Sequence, residues 1–294
     1  MGLFSRNFDR PGPGVSVNEP RKKGLARLAE VLGRDAGSFF KAGFLAFLGA
    51  LPFIVGMSLA ITGHVVVFAL LAGVVGGMIA GPELTGLADT ILRSLRDEPG
   101  YWWQTYRRTW KRNAKASLAP GALCGLVFGV QLFTLYHLNA LSLGLSTLIV
   151  LIVGILLALG LCSYLWPQLA LLELPFGGVL KNMALLFLGF LPRSAGAVAV
   201  QAVYWGVLLL YFPYSSILLP LTGIWLPMLL SILIIYPALD KSFSIETTIK
   251  KMRDDQLDGS SAKPAPTADV SGRVGTGADA PKIEDDGPKN GPNA

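Results

Sequence analysis

Long stretches without a charged residue recur through this sequence, and they constrain its fold more than any other feature. They lie between Gly43 and Pro237, and a run of about 18 or more such residues can cross about 30 Å of hydrocarbon as a helix. Hydrophobic residues make up 52% of the chain and charged residues 15%, which does not suit a water-soluble domain of this length. The sequence therefore predicts an all-α, polytopic membrane helix bundle.

The runs predict six transmembrane helices, with boundaries defined to within a few residues. An N-terminal arm, residues 1–42, precedes a membrane domain over residues 43–253. Residues 254–294 contain no aromatic side chain and are rich in Gly, Pro, Ala, Asp and Ser. Such a segment buries too little apolar surface to offset the entropy of ordering, so we expect a disordered tail. The predicted spans are 43–62, 64–82, 119–137, 142–166, 194–212 and 217–237.

Charged residues are confined to alternate connections between the spans. The 25 Lys and Arg residues divide into 8 before the first span, 7 in residues 83–118, 2 in residues 167–193 and 8 after residue 237. The 19 acidic residues fall in the same segments, so the three other turns carry no charge. Lys and Arg beside spans stay on the cytoplasmic side. We therefore expect an even number of spans in a bacterial plasma membrane, with both termini in the cytoplasm.

One apolar stretch can be read as a span or as a shorter helix. Residues 179–212 are interrupted by Leu191-Pro192-Arg193-Ser194, and an Arg at the bilayer centre costs about 2.5–3.5 kcal/mol. We therefore expect Arg193 at the inner interface, with the fifth span after it. Residues 179–191 then form a helix of about 20 Å, too short to cross the bilayer, that is re-entrant or interfacial.

Glycines recur every four residues in the second and third spans. Small residues at this spacing form a smooth stripe that lets helix backbones approach closely in lipid. We expect the two spans to pack against each other through these stripes, with a dimer face or a functional groove as the alternative. The stripe residues are Gly73, Gly77, Gly81, Gly121, Gly125 and Gly129.

Chemically reactive side chains are scarce in the predicted spans, which contain no Asp, Glu, Lys or Arg. This counts against an ion-coupled transporter and an intramembrane hydrolase, which need ionisable groups at that depth. The histidines His64 and His137 lie at outer span ends and are too few for a zinc site. Cys124 and Cys162 lie in apolar runs, where a thiol behaves as a small apolar side chain. We expect no catalytic residue, metal or cofactor.

Residues 83–118 are the most distinctive segment outside the predicted spans. Helical periodicity up to Leu95 is followed by Asp97-Glu98-Pro99-Gly100, which is typical of the start of a new helix. The segment therefore predicts a two-helix elbow. In its second helix, aromatic residues occupy one arc and basic residues, including Lys115, the opposite arc. A similar amphipathic stretch, with Leu25, Leu28, Ala29 and Leu32 among basic residues, precedes the first span.

The two arcs of the elbow suit the headgroup boundary, with aromatic rings at the interface and cations on anionic lipids of the inner leaflet. A docking surface for a cytoplasmic partner, or for a ligand at the membrane edge, is the alternative. Nucleic-acid binding is not expected, because stacking grooves need interleaved aromatic and basic residues. The candidate partner or lipid contacts are Arg93, Arg96, Trp102, Trp103, Tyr106, Arg107, Arg108, Trp110, Lys111 and Arg112.

Short motifs recur in a fixed order along about residues 38–245. They include Phe39-Phe40-Lys41, Gly81-Pro82, the run from Leu92 to Trp103, Tyr106-Arg107-Arg108, Trp110-Lys111-Arg112-Asn113, Glu173-Leu174-Pro175, Leu180-Lys181-Asn182, Leu191-Pro192-Arg193 and Tyr236-Pro237-Ala238-Leu239-Asp240-Lys241. In these motifs and their order the chain resembles the YesL-like family of bacterial membrane proteins. The resemblance implies no catalytic residue, since the family's function is largely unknown. Members are often encoded near carbohydrate-uptake and polysaccharide-breakdown systems, which implies an accessory role in sugar import and a sugar-uptake complex as a partner.

Three function classes remain open. The first is a non-enzymatic accessory or scaffold protein linked to carbohydrate uptake or its regulation. The second is a transporter or substrate-binding component for a small neutral solute, with helices broken around a cavity at Pro192, Pro213, Pro220 and Pro227.

The third class is a membrane enzyme acting on lipid or glycan. It would need acidic residues near the inner surface, namely Glu83, Asp89, Glu173 or Asp240. We instead expect these carboxylates to form salt bridges with Arg93, Arg96 or Arg193. The sequence therefore favours a non-enzymatic role.

Overall fold

The described residues are helical, and no strand occurs among them. They comprise Lys22, residues 24–98 and residues 100–248 of a computed structural model. A 3₁₀ helix, Tyr214–Ile217, and a π-helical turn, Leu219–Gly223, precede the last helix. The α-helices are α1 (Gly24–Thr62), α2 (Val66–Leu95), α3 (Trp102–Tyr136), α4 (Leu145–Leu171), α5 (Phe176–Gly189), α6 (Leu191–Leu210) and α7 (Trp225–Phe243).

Within this described part, six helical segments are long and apolar enough to cross a membrane. They are α1 to α4, α6, and the continuous segment Leu219–Phe243 that ends in α7. The chain is therefore a multi-pass, all-α membrane protein, which confirms the fold class predicted from the uncharged runs. The predicted tail, residues 254–294, lies outside the described residues. Residues 245–248, which belong to a second unit, are helical.

Three of these helices are much longer than a membrane crossing requires. α1, α2 and α3 contain 39, 30 and 35 residues, or about 58, 45 and 52 Å at 1.5 Å per residue. The amphipathic stretch of the arm is the first part of α1, and the elbow consists of the end of α2 and the start of α3. Pro82 and Pro120 lie inside their helices and do not end them. These extensions meet at one end of the bundle, and we call it the charged end.

The glycine stripes of α2 and α3 face each other. A Cβ atom added at Gly77 would lie 2.2 Å from the carbonyl oxygen of Gly121, and one added at Gly125 would lie 2.1 Å from that of Gly73. Gly81 and Gly129 lie in the same contact, next to Ser117 and Gly73 respectively. Because the two backbones are in contact, the helices lie closer together than they could with larger side chains between them. Van der Waals contact then holds them together, since surrounding lipid provides no hydrophobic driving force for helix association.

The four-residue spacing continues beyond the glycines into polar side chains near the charged end. Thr85 Oγ1 and Ser117 Oγ lie 2.8 Å apart, and Thr109 Oγ1 donates a hydrogen bond to Asp89 Oδ2 at 2.9 Å. All four side chains are buried. α2 and α3 therefore form one antiparallel pair that extends from the membrane layer into the charged end.

A break at Phe190 separates α5 from α6. Its φ and ψ of −120° and 43° are not helical, so α5, which contains residues 179–189, is not continuous with the fifth span. α6 begins at Leu191, three residues before the predicted start, and exposed Arg193 lies in its first turn. α5 packs on α4, where Gly160 leaves room for the ring of Phe187.

The prolines singled out by sequence do not interrupt helices around a cavity. Pro192 lies in the first turn of α6 and Pro213 precedes the 3₁₀ helix. Pro220 is in the π turn and Pro227 is the third residue of α7. These are helix starts and turns, where a missing backbone N–H breaks no helical hydrogen bond.

The start of α7 lies against the first half of α1. The rings of Trp225 and Phe39 stack with centroids 6.0 Å apart, and a Cβ atom at Gly43 would fall 2.4 Å from Trp225 Cδ1. If six spans of equal depth crossed the membrane in alternating directions, the start of α7 would instead lie near Thr62, at the end of α1. The indole of Trp225 occupies the space that a side chain at position 43 would need.

We predict that Gly77→Ala destabilises the protein by about 1–3 kcal/mol, because the new methyl group overpacks a backbone contact. Gly206→Ala in α6 is the matched control, since its Cβ would meet nothing within 4 Å. That substitution should be neutral or stabilising by up to about 1 kcal/mol. Reversible unfolding of both variants in the same detergent measures the difference; equal stabilities would contradict the α2–α3 contact.

Candidate functional site

Side chains from α1, α2 and α3 form a dense network of ion pairs at the charged end. Arg27 is 6% exposed, and its Nη2 atom donates to the Leu95 carbonyl oxygen at 2.7 Å and to Asp97 Oδ2 at 2.8 Å. Its Nη1 atom donates to Glu30 at 3.1 Å. A single buried guanidinium thus joins the start of α1 to the last turn of α2.

A second arginine strengthens the same junction. Arg34 Nη2 donates to the Ser94 carbonyl oxygen at 2.6 Å, Nε donates to Asp35 at 2.9 Å, and Nη1 bonds Asp97. The Ser94 hydroxyl in turn donates to Asp35. Asp97 therefore receives hydrogen bonds from two arginines of α1, while its own backbone adopts a left-handed φ of 58°.

The end of α2 is also held by pairs within its own segment. Arg93 Nε donates to Asp89 Oδ2 at 2.7 Å and Nη1 to Glu98 at 3.1 Å. Arg96 is 6% exposed, and its Nε atom donates to Glu98 Oε1 at 2.8 Å. Through these pairs Arg93 and Arg96 hold the turn between α2 and α3; their contact with a partner or lipid stays a prediction.

The network shifts the protonation equilibria of its members. Burial would raise the pKa of Asp97, but the hydrogen bonds from Arg27 and Arg34 outweigh burial and hold that pKa below its ordinary value. Burial would lower the pKa of Arg93, and its pairing with Asp89 reverses this effect. The arginines of α1 thus stabilise the ionised form of Asp97, and pairing with Asp89 stabilises the ionised form of Arg93.

The aromatic arc of α3 points into the bundle. Tyr106 is 3% exposed and its hydroxyl donates to the Glu83 carboxylate, which also accepts a hydrogen bond from Trp110 Nε1 at 2.9 Å. Gly86 makes room for the Tyr106 ring, since a Cβ there would lie 2.7 Å from Tyr106 Cε2. Burial of the ring, followed by the bond to Glu83, raises the pKa of the Tyr106 hydroxyl well above its ordinary value. Lys41 Nζ lies 5.6 Å from the centre of the Trp102 ring.

One expectation about this region is wrong. Glu83 is bonded to Tyr106 and Trp110 rather than to an arginine. Trp102, Tyr106 and Trp110 pack against the core, and Glu83 supplies the acceptor that the polar atoms of Tyr106 and Trp110 need. The headgroup position of the aromatic arc stays a prediction. Of the aromatic arc, Trp103 alone stays exposed, at 54%.

The basic arc forms the outer surface of α3 at the charged end. Arg107, Arg108, Lys111 and Lys115 are exposed, and within the described residues none forms a hydrogen bond or an ion pair. Arg112 is also exposed but donates through Nη2 to the Ala170 carbonyl oxygen of α4 at 2.9 Å. We call the four unpaired residues the basic face. The sequence predicts these residues and, of the buried network behind them, only the pair of Asp89 with Arg93.

A crevice of about 70 Å³ opens beside the ion-pair network. Its charged groups, Asp35, Arg93 and Glu98, already pair with other residues of the network. The Trp102 Nε1 atom also lies buried at this end and has no hydrogen-bond partner among the described residues. The crevice therefore offers a small polar recess and no unpaired charge. Its lining is Asp35, Ser38, Thr90, Arg93, Ser94, Glu98, Gly100, Trp102 and Thr105.

The two histidines meet at the opposite end of the bundle. His64 Nδ1 and His137 Nε2 lie 2.8 Å apart, and His137 Nδ1 lies 2.9 Å from the Phe133 carbonyl oxygen. This hydrogen bond ties the α1–α2 turn to the end of α3. Among the described residues, no three His, Cys, Asp or Glu side chains group closely enough to hold a metal ion.

Comparison with protein-family models, with curated proteins and with solved structures gives no match. The function of the charged end is therefore argued from its own geometry. That geometry consists of a buried network that fixes three helices and a basic face that the network leaves unpaired.

We predict that Arg27→Ala lowers the unfolding free energy by about 1–3 kcal/mol, because it removes a buried charged donor and strands its acceptors. Arg107→Ala is the control: it removes the same side chain from an exposed, unpaired position and should change stability by less than about 0.5 kcal/mol. Thermal unfolding of both proteins in one detergent provides the comparison. Similar midpoints for the two variants would show that the network does not hold the helices together.

Proposed function

We propose that the protein is a non-enzymatic scaffold or accessory protein of a bacterial plasma membrane, which holds a partner with an acidic surface at its charged end. The observation that carries this proposal is the basic face of α3. Four exposed cations without partners stand on a helix whose opposite side is fixed in the core. The helix that presents this surface is already ordered, so a partner does not have to order its backbone on binding.

The charge distribution supports a cytoplasmic position for this face. All Lys and Arg residues of the chain lie in alternate connections between the predicted spans or in the two terminal segments. The extensions of α2 and α3 belong to one of these connections. Segments rich in Lys and Arg beside a span are retained in the cytoplasm. The anionic lipids of the inner leaflet would attract the same residues. The proposal therefore places the basic face towards cytoplasmic proteins.

The height of the basic face favours a protein partner over lipid for its outer half. With residue 119 at the edge of the apolar layer, Lys115 stands about 6 Å above that edge and Arg107 about 18 Å. Headgroups occupy about 5–8 Å on each side of the hydrocarbon. Lys115 can therefore contact anionic headgroups, whereas Arg107 and Arg108 extend beyond them.

The interior of the bundle supports scaffolding more than transport. α2 and α3 are closed against each other by backbone contact, and the crevice beside the network is lined by residues of the charged end. The prolines proposed to break helices lie at helix starts and turns. A neutral-solute pathway has no geometric support from these features.

The resemblance to the YesL-like family suggests which partner to examine first. Its implied link to carbohydrate uptake makes a cytoplasmic-facing subunit of a sugar-uptake complex the first candidate. An acidic patch on that subunit would complement the basic face and steer association.

The test is affinity purification of the full-length protein from native membranes in mild detergent, with quantification of co-purified sugar-transporter subunits. We predict near-stoichiometric recovery for the unaltered protein. The combined substitutions Arg107→Glu, Arg108→Glu and Lys111→Glu should reduce recovery about tenfold, which corresponds to about 1.4 kcal/mol of binding free energy.

A matched control carries Lys181→Glu, Arg193→Glu and Lys241→Glu, which changes the net charge equally at exposed positions on α5, α6 and α7. This variant should keep its partner. Equal loss in both variants would show that general charge and not the basic face is responsible. Solute uptake by the isolated protein in vesicles would reject the scaffold proposal outright.

A further inference from the structure

The two cysteines of the chain face each other inside the membrane layer. Cys124 of α3 and Cys162 of α4 are 38 residues apart in sequence, and their Sγ atoms lie 3.4 Å apart. At this distance one thiol donates a weak hydrogen bond to the other. No sequence motif joins the two residues, so the packing of α3 on α4 creates the pair.

Lipid is the medium through which reagents reach this pair. Both side chains are only partly buried, on the edge of the hydrophobic core. Cys124 lies five residues inside the predicted start of its span at residue 119, and Cys162 four residues inside the predicted end at residue 166, or about 7 and 6 Å below the boundary. Water-soluble oxidants are poorly soluble at this depth, whereas lipophilic ones concentrate there.

We propose that Cys124 and Cys162 form a redox-active dithiol whose oxidant is a lipophilic quinone of the membrane. In the reaction, each thiol gives up its hydrogen and the two sulfur atoms join in one disulfide bond. The quinone takes the two electrons and two protons and becomes a hydroquinone. The product tethers α3 covalently to α4.

The two side chains can close the remaining distance. A disulfide bond is about 2.05 Å long, so the sulfur atoms must approach by about 1.4 Å. Both helices are fixed here, because α3 contacts α2 backbone to backbone and residues 163–170 of α4, next to Cys162, are buried. Rotation of the Cys side chains about their Cα–Cβ bonds moves the sulfur atoms towards each other without moving either helix.

The test uses the reduced full-length protein in lipid nanodiscs, exposed either to a short-chain benzoquinone analogue that partitions into lipid or to the water-soluble oxidant diamide. After quenching and denaturation, a maleimide mass tag counts the free thiols on a gel. We expect two tags before treatment, none after the quinone, and two again after dithiothreitol. Diamide should act at least tenfold more slowly, and mass spectrometry should show a peptide pair that has lost two hydrogens.

The single variants Cys124→Ser and Cys162→Ser distinguish pairing from other chemistry. Each should keep its one tag after quinone treatment, because the remaining thiol has no partner in the same chain. Loss of that tag at the rate of the unaltered protein would indicate quinone adducts and overturn the proposal. Two persistent tags in the unaltered protein, or a disulfide found only between two chains, would also overturn it.

Discussion

Along about 24 Å, from Gly73 to Asp89, α2 packs against α3 with every fourth residue in the contact. In the membrane layer the contact consists of glycines whose backbones touch, and near the charged end it consists of hydrogen-bonded polar side chains. Both halves follow one helical stripe. The pair therefore behaves as a single rod that crosses the layer and continues beyond it.

The charged end depends on this rod. Because α2 and α3 leave the membrane as a fixed pair, Asp89, Arg93 and Glu98 can form ion pairs in the turn, and α1 docks against it through Arg27 and Arg34. The aromatic arc of α3 is then buried against Glu83, which turns the opposite arc outward. The exposed basic face is thus a consequence of packing on the other side of the same helix.

Much of this architecture follows from sequence periodicity and charge. The uncharged runs predict the membrane helices, and four-residue glycine spacing predicts the α2–α3 contact. The glycine repeat stops near the predicted span ends, so it does not predict the continuation of the stripe through Thr85 and Ser117.

Other features depend on tertiary contacts that one sequence does not specify. The sequence predicts the elbow, but the direction of its aromatic arc depends on Glu83 accepting two hydrogen bonds from α3. The contact of Trp225 with Gly43 requires two helices that are far apart in sequence to meet. Arg96 could be identified as basic and not as buried, because its partner Glu98 lies in a turn whose shape the pattern does not fix.

The central claim is that the α2–α3 rod stays rigid beyond the apolar layer, and hydrogen–deuterium exchange of the full-length protein in nanodiscs tests it most directly. The account predicts that backbone amides in residues 85–95 and 103–117 exchange as slowly as those in the membrane-embedded parts of the same helices, because both are held by one packed interface. Exchange of these segments within seconds, with slow exchange confined to the membrane layer, would contradict it.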